Sequence, residues 1–257
     1  MITITIGQRK GGNGKSTSAL NLAHAFALTG KRVLLIDLDD QKNSTSAIST
    51  KNPPTKTIED LLLNEDVTVS ETAVATTWEN VSLIAASANL SGTIRELDGE
   101  VGSHLVLEEK LSAAVDFDIC LIDTSPSLNI LVVNALCASR WLFVPLSSKY
   151  FSLQGLGQTL EAFKKVQGRL HPSLDILGLA FVIHDQRSNL ARDVITKARE
   201  EYPQLVCATA IGQNIKIEEA QVLKQSIFSY APDDRGAEQY RQLADELAGR
   251  MTSAQGA

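Results

Sequence analysis

A glycine-rich stretch near the amino terminus constrains the fold of this chain more than any other feature. Residues 7–16 read GQRKGGNGKS, so three glycines and an asparagine stand between two lysines. The preceding residues 1–6 alternate as a β-strand does, and residues 18–28 form a helix-favouring run that Gly30 ends. A strand, a glycine turn and a helix in this order predict a variant phosphate-binding loop.

The loop lacks the first glycine of the usual G-x-x-x-x-G-K-[ST] pattern, but its chemistry is still suited to phosphate. Gly11, Gly12 and Gly14 allow backbone N–H groups to turn onto phosphate oxygens at a helix N-terminus. Lys15 then reaches the β and γ phosphates, and the hydroxyl of Ser16 can ligate Mg²⁺. The alternative interpretation is a glycine turn that merely joins a strand to a helix.

Composition is that of a soluble enzyme with a large core. The chain has 257 residues, 44% of them hydrophobic, which suits one α/β domain over residues 1–257 with a frayed tail at 252–257. The net charge of −6 gives no general attraction to nucleic acid or anionic membranes. Without a membrane-spanning run or a signal peptide, we expect a cytoplasmic location.

The widely spaced Cys120, Cys137 and Cys207 are expected to be buried side chains, not metal ligands or disulfides.

Strand-like and helix-like segments alternate along the rest of the chain. Further strands are predicted at residues 33–36, 81–84, 119–122, 141–144, 176–182 and 206–211, a capping-box helix start at 57–60, and a last helix over 236–250. This alternation predicts an α/β fold with a doubly wound, mostly parallel sheet flanked by helices.

Acidic residues follow two of the predicted strands. Asp37 and Asp39 end the run at 33–36, and Asp123 ends the run at 119–122. Ligands in such sheets bind beyond the carboxyl ends of the strands, where a carboxylate can hold Mg²⁺. Alternatively, Asp123 could cap the next helix.

These motifs resemble those of the ParA and MinD group of deviant Walker A ATPases, and in particular its ParA (Soj-like) branch, whose fold is of the SIMIBI type. The extra lysine before the glycine pair, Lys10, is part of that resemblance. The other matching segments are residues 33–41 with Asn43, 123–127, 144–155, 187–190, 211–216 and 235–238. The resemblance therefore extends from the first strand to the last helix.

The resemblance implies roles for individual residues. Lys10 is expected to cross the interface of an ATP-bound homodimer to the partner's phosphates, whereas Lys15 contacts those of its own protomer. Asp39 matches the family's water-positioning carboxylate in a slow ATPase, and Asp37 is expected to support the metal shell or a switch segment. The implied ATP-binding residues are Gly11, Gly12, Asn13, Gly14, Lys15, Ser16, Thr17 and Asn214, with Ser16, Asp37 and Asp123 at Mg²⁺.

The resemblance also implies partners. ParA-type members hold non-specific DNA through basic residues, and Arg187 and Lys216 stand at matching positions, which implies a nucleoid-associated protein. A ParB-like adaptor protein would stimulate hydrolysis and so position a plasmid, a chromosome or another cargo. The alternative is that these basic residues are ordinary solvated charges. Arg140 and Lys149 replace residues that are commonly acidic in the family, and we expect both near the dimer and nucleotide region.

Other function classes remain open from the residues. A MinD-like, membrane-cycling ATPase is disfavoured because residues 247–257 lack an apolar face backed by lysines. A small-molecule phosphate-loop enzyme, resembling dethiobiotin synthetase or a cobyrinate amidase, would share the sheet and the loop. An iron–sulfur relative would need paired cysteines, and Cys120 falls inside a predicted strand.

Overall fold

The computed structural model describes residues 1–86, 89–148, 151–184 and 188–254. Within these ranges the strands are β1 (Ile2–Ile6), β2 (Val33–Leu38), β3 (Val74–Ala75), β4 (Val81–Ile84), β5 (Ile119–Thr124), β6 (Trp141–Ser147) and β7 (Asp175–Ile183). The α-helices are α1 (Lys15–Leu28), α2 (Asn43–Ser46), α3 (Ile58–Leu63), α4 (Val69–Thr72), α5 (Leu90–Leu97), α6 (Val106–Ser112), α7 (Ile130–Cys137), α8 (Phe151–Arg169), α9 (Asn189–Glu201), α10 (Ile215–Val222), α11 (Ile227–Tyr230) and α12 (Arg235–Ser253).

The strands form one sheet in the order β3-β4-β2-β5-β1-β6-β7. Neighbouring strands are parallel except for β3 and β4, which are antiparallel. Helices connect the parallel strands, as a doubly wound sheet requires. The predicted fold class is therefore confirmed, and the carboxyl ends of β1, β2 and β5 lie side by side.

Alternate residues of the central strands pack on opposite faces of the sheet. On β2, Val33 and Leu35 join the apolar cluster beneath α1 and α12, whereas Leu34 and Ile36 join the cluster beneath α3, α6 and α7. All six residues of β2 are buried, as expected of a strand covered on both faces. In the sequence this double burial corresponds to the apolar run at residues 33–36, which Asp37 follows.

Two local predictions are confirmed. The capping box at the start of α3 is present, because the Thr57 amide donates to the Asp60 carboxylate at 2.7 Å. Cys120, Cys137 and Cys207 are free thiols in the core, and burial raises the pKa of each above its usual value.

The strand predicted at residues 206–211 is wrong. Within this segment only Val206 forms a bridge to β7, with Leu179, and a second isolated bridge joins His184 and Gly212 just beyond both segments. Side chains of α12 take the backbone groups that a continuous ladder would use. The carboxylate of Glu246 accepts the amides of Ala208 and Thr209, each at 2.9 Å, and Arg250 donates to carbonyl groups just before them.

The last helix runs further than predicted. It begins at Arg235 and ends at Ser253, so Thr252 and Ser253 are helical and do not belong to a frayed tail. Residues 255–257 lie outside the described part of the chain. No helix within that described part has the length and apolar character needed to cross a membrane.

The expectation for Arg140 is also wrong. This residue stands just before β6, at the amino end of the sheet, whereas the cavity described below lies at the carboxyl end. Its guanidinium lies 4.2 Å from the centroid of the Trp141 ring and donates to the carbonyl of Ser173. Lys149 falls outside the described residues.

A buried histidine on α1 connects this helix to two distant segments. The ring of His24 stacks on Trp78 with centroids 5.1 Å apart and meets the ring of Phe228 edge-on at 5.7 Å. Burial lowers the pKa of His24 to about 4, because desolvation disfavours the imidazolium ion.

We expect His24 to make the protein less stable as the pH is lowered. Below the usual histidine pKa of about 6.5, the unfolded chain binds a proton that the folded chain excludes until about pH 4, so the free energy of unfolding falls through this window. Between pH 7 and pH 5 the loss is about 2 kcal/mol. Urea titrations at both pH values should show that His24→Gln lacks this component and that His104→Gln retains it. An unchanged pH dependence in His24→Gln would contradict the assignment.

Candidate active site

A cavity of about 650 Å³ opens at the carboxyl ends of the central strands. The glycine loop, the start of α1, the segment after β2 and the end of α10 enclose it. Its lining residues are Gly11, Gly12, Gly14, Lys15, Ser16, Thr17, Asp39, Gln41, Asn43, Ser46, Ala47, Pro126, Gln221 and Val222. The cavity therefore brings most of the predicted loop residues together with Asp39.

Two glycines give the loop its shape. Gly12 and Gly14 have φ angles of 74° and 75°, in the left-handed region where a side chain is strained. Gly14 immediately precedes α1, and a β-carbon there would lie 2.8 Å from Cγ2 of Val182. Backbone conformation and close packing thus both require glycine at this position, directly before Lys15.

Lys15 is the first residue of α1 and is buried at the floor of the cavity. Burial lowers its pKa because the ammonium group loses hydration, and the negative charges of Asp123 and Asp39 act in the opposite direction. These two carboxylates therefore favour the charged form of Lys15.

Asp123 is completely buried at the end of β5. One of its oxygens, Oδ2, accepts a hydrogen bond from Ser44 Oγ at 2.7 Å, while Oδ1 finds no donor among the described residues. Burial, and then the negative charge of Asp37, raise the pKa of Asp123 to about 7, while Ser16, Ser44 and Lys15 act to lower it. The cap of α7 is Asn129, so Asp123 is not a helix cap.

Asp37 and Asp39 have different surroundings although they are two residues apart. The Asp37 Oδ2 atom accepts the amide and the hydroxyl of Thr45 at 2.7 and 2.8 Å, so this carboxylate ties down the segment after β2. Asp39 faces the cavity, and its Oδ1 accepts the amide of Gln41 at 3.0 Å. Burial raises the pKa of both carboxyl groups. A direct contact of Asp37 with a metal ion stays a prediction.

The residues present fit a magnesium ion. Asp123 Oδ1 is a buried carboxylate oxygen without a donor, and Ser16 lies beside it in the loop. Across the described residues, no three His, Cys, Asp or Glu side chains are grouped so that they could hold a metal by themselves. Mg²⁺ is typically held by one or two protein oxygens together with phosphates and water, so Ser16 and Asp123 would suffice.

Four other predicted residues lie away from the cavity or outside the described chain. Asn13 belongs to the loop, but its side chain is buried and its Oδ1 accepts the hydroxyl of Ser147 at 2.9 Å. Asn214 caps α10 through the amide of Lys216 at 2.9 Å, and Lys216 itself is exposed. Arg187 lies outside the described residues. The roles predicted for these residues stay predictions.

Lys10 precedes the crest of the loop and is half-buried. The next two residues, Gly11 and Gly12, are exposed, so the crest faces outward from the protomer. Both glycines also line the cavity.

One wall of the cavity was not predictable from the sequence. Gln221 and Val222, at the end of α10, line the cavity, and Gln221 Nε2 donates to Thr17 Oγ1 at 3.0 Å. Gln221 is 204 residues from Thr17, and no motif marks it. Its proximity to the loop depends on the tertiary fold, which a local pattern does not encode.

The chain resembles a protein family and several known proteins over most of its length. A family profile for an AAA domain matches residues 1–176. The chain is 36% identical over 246 residues to the sporulation initiation inhibitor protein Soj of Bacillus subtilis, covering 95% of this chain and 97% of that protein. It is 37% identical over 249 residues to the chromosome-partitioning ATPase Soj of Treponema pallidum, covering 96% of this chain and 97% of that protein.

A solved structure with the same fold is that of a diamide synthase and not of a Soj protein. Cobyrinic acid a,c-diamide synthase from Mycobacterium smegmatis, crystallised with ADP and magnesium, superposes with a TM-score of 0.84 at 29% identity. The superposition covers 99% of this chain and 96% of that one.

The sheet order, the glycine loop and the strand-end carboxylates define a phosphate-loop protein of the deviant Walker A class. The extent of the sequence matches then identifies the family. The chain belongs to the ParA/Soj family of chromosome-partitioning ATPases.

We expect Gly14→Ala to abolish nucleotide binding. The new β-carbon would both strain a left-handed backbone and collide with Val182, which shifts the amide groups that face the phosphates. Gly157→Ala on α8, where a β-carbon meets nothing within 4 Å, is the control. Calorimetric titration with ATP should detect no binding by Gly14→Ala and normal binding by the control. Equal affinities would contradict the loop geometry.

Proposed function

We propose that this protein is an ATPase that binds ATP with Mg²⁺, dimerises around the bound nucleotide and holds non-specific DNA in that state. A partner protein of the ParB type would stimulate hydrolysis, and the resulting cycle would segregate or position a chromosome, a plasmid or another cargo in the cytoplasm. The names of the Soj relatives and the ligands of the Mycobacterium smegmatis enzyme support this proposal.

One observation carries the ATPase part of the proposal. Lys15, Asp39 and Asp123 converge at one end of the sheet, beside a glycine loop whose backbone is already turned to receive phosphates. Positioning and charge stabilisation provide most of the catalysis in phosphoryl transfer, and these groups supply both. Bound Mg²⁺ would neutralise charge that develops on the phosphate oxygens.

The chain's own residues have separate tasks in this mechanism. The amides of the glycine loop and the ammonium group of Lys15 bind the phosphates, while Ser16 and Asp123 would hold the metal ion. Asp39 faces the same cavity, with Oδ1 oriented by the amide of Gln41, so it can accept a hydrogen bond from an attacking water.

Lys10 would act across the dimer. Two triphosphates held between protomers concentrate negative charge, and a lysine from the opposite protomer offsets that charge only while triphosphate is present. The outward-facing crest of the loop is consistent with this task. Oligomeric state would then follow nucleotide state.

Two substitutions should separate dimerisation from hydrolysis. Asp39→Ala should slow ATP hydrolysis by at least about 100-fold, because the water loses its positioning group, and should accumulate the ATP dimer. Lys10→Ala should bind ATP but remain monomeric. Phosphate release and sedimentation velocity with ATP measure the two effects. A monomeric Asp39→Ala or a dimeric Lys10→Ala would contradict the proposed cycle.

DNA binding is expected to need ATP and to depend steeply on salt. Release of counterions makes the affinity fall linearly on a logarithmic salt scale, in proportion to the number of phosphates contacted. Lys216→Ala should lower that slope by about two for a dimer, one for each protomer, while Lys51→Ala should leave it unchanged. Binding to random-sequence duplex DNA with ATP, with ADP and without nucleotide tests this. Equal or absent binding in every nucleotide state would exclude a DNA-based cycle.

The Mycobacterium smegmatis structure supports a second candidate, a small-molecule enzyme that uses ATP to form an amide. Incubation with ATP, cobyrinic acid and an amine donor tests it by mass spectrometry. A diamide product would favour this candidate, whereas hydrolysis that random DNA and an adaptor protein stimulate would favour the partition ATPase.

A further inference from the structure

Helix α8 forms hydrogen bonds to the two residues that precede Lys10 in the glycine loop. The hydroxyl of Thr159, on α8, lies 2.7 Å from Gln8 Oε1, and it accepts the backbone amide of Arg9 at 3.0 Å. Gln8 and Thr159 are 2% and 6% exposed. The start of the loop is therefore held by a buried polar contact between residues about 150 positions apart in the sequence.

The same helix touches Lys10 directly. Gly155, one turn before Thr159, packs so closely that a β-carbon there would lie 3.1 Å from Cβ of Lys10 and 3.4 Å from Gln8 Oε1. The Thr159 hydroxyl also lies 2.8 Å from the Gly155 carbonyl, so this turn of α8 and the start of the loop form one hydrogen-bonded unit.

The side chain of Gln8 is buried with a hydrogen-bond donor that is unsatisfied among the described residues, which destabilises the folded state relative to an apolar side chain at the same place. Gln8 Nε2 is buried without a partner among the described residues, although an apolar side chain would fill the same space without an unsatisfied donor. Asn13, further along the loop, repeats the arrangement. Its Oδ1 accepts the hydroxyl of Ser147 at the end of β6, and its Nδ2 has no partner among the described residues.

We propose that Thr159 is a positioning residue for Lys10. Its hydroxyl fixes the start of the loop on α8 and thereby aims Lys10, while Lys15, Ser16 and the left-handed glycines hold the phosphates of their own protomer independently. Ser147 fixes the loop at a second point through Asn13. The inference rests on the proposed function, because Lys10 has a task only in the ATP-bound dimer.

Because Thr159 acts only on Lys10, its replacement should affect ATP-dependent dimerisation but not the binding of ADP by a single protomer. Thr159→Val keeps the shape of the side chain and removes the hydroxyl. It should weaken the ATP-dependent dimer about tenfold, the scale of one lost hydrogen bond, and leave the affinity of the protomer for ADP within about threefold of wild type. Thr159→Ser restores the hydroxyl and should restore the dimer.

A matched control separates positioning from general stability. Thr72 is also buried, and its hydroxyl donates to the carbonyl of Thr68 at 2.9 Å, but that bond only joins α4 to its own N-cap residue. Thr72→Val should therefore leave the dimer unchanged. Gly155→Ala should weaken the dimer by displacing Lys10 without removing a hydrogen bond, and it serves if Thr159→Val does not fold.

The decisive experiment combines sedimentation velocity with ATP, titration with ADP and amide hydrogen exchange of residues 8–11. Faster exchange at Arg9 and a weaker dimer in Thr159→Val, with both restored in Thr159→Ser, would support the proposal. Unchanged exchange at Arg9, a serine variant as weak as the valine variant, or an equal loss of ADP affinity would overturn it. If wild-type protein does not dimerise with ATP, the proposed function fails, whereas the exchange of Arg9 still reports whether Thr159 fixes the loop.

Discussion

The attraction between the ammonium group of Lys15 and the carboxylates of Asp39 and Asp123 is the interaction on which the site depends. All three groups are buried, so their charges interact more strongly than they would in water. Asp37 adds a further carboxyl group next to Asp123, and one lysine does not balance three acids. Burial raises the pKa of all three aspartates, and the negative charge of a neighbouring carboxylate raises it further. A bound divalent cation would relieve the excess of negative charge, which explains why the site suits a magnesium nucleotide.

Strand order brings these groups together. In the parallel pair β2 and β5, Asp37 lies directly opposite Asp123, and on the other side of β5 the last residue of β1 is paired with Asp123. The loop that leaves β1 therefore begins beside the carboxylates it serves. The cobyrinic acid a,c-diamide synthase of Mycobacterium smegmatis has the same framework, with a TM-score of 0.84. The fold alone therefore does not define the function. The sequence relatives and the details of the loop carry that part of the account.

Features that depend on neighbouring residues were predictable from the sequence. The apolar run of β2, the glycine loop before Lys15 and the capping box at Thr57 are local patterns, and all three have their expected structures. Features that depend on distant residues were not. The apolar segment at 206–211 does not form a strand because α12 takes its backbone groups, and Gln221 and Thr159 reach the loop only through helix packing.

The dependence of ATP binding on Mg²⁺, measured by calorimetry in wild-type protein and in Asp123→Asn, tests the central claim most directly. The substitution preserves the shape of the side chain and removes the negative charge that would hold the metal ion. We predict that Mg²⁺ tightens ATP binding to the wild-type protein and gives little or no tightening in Asp123→Asn. The same gain from Mg²⁺ in both proteins would contradict the assignment of Asp123 and the electrostatic account of the site.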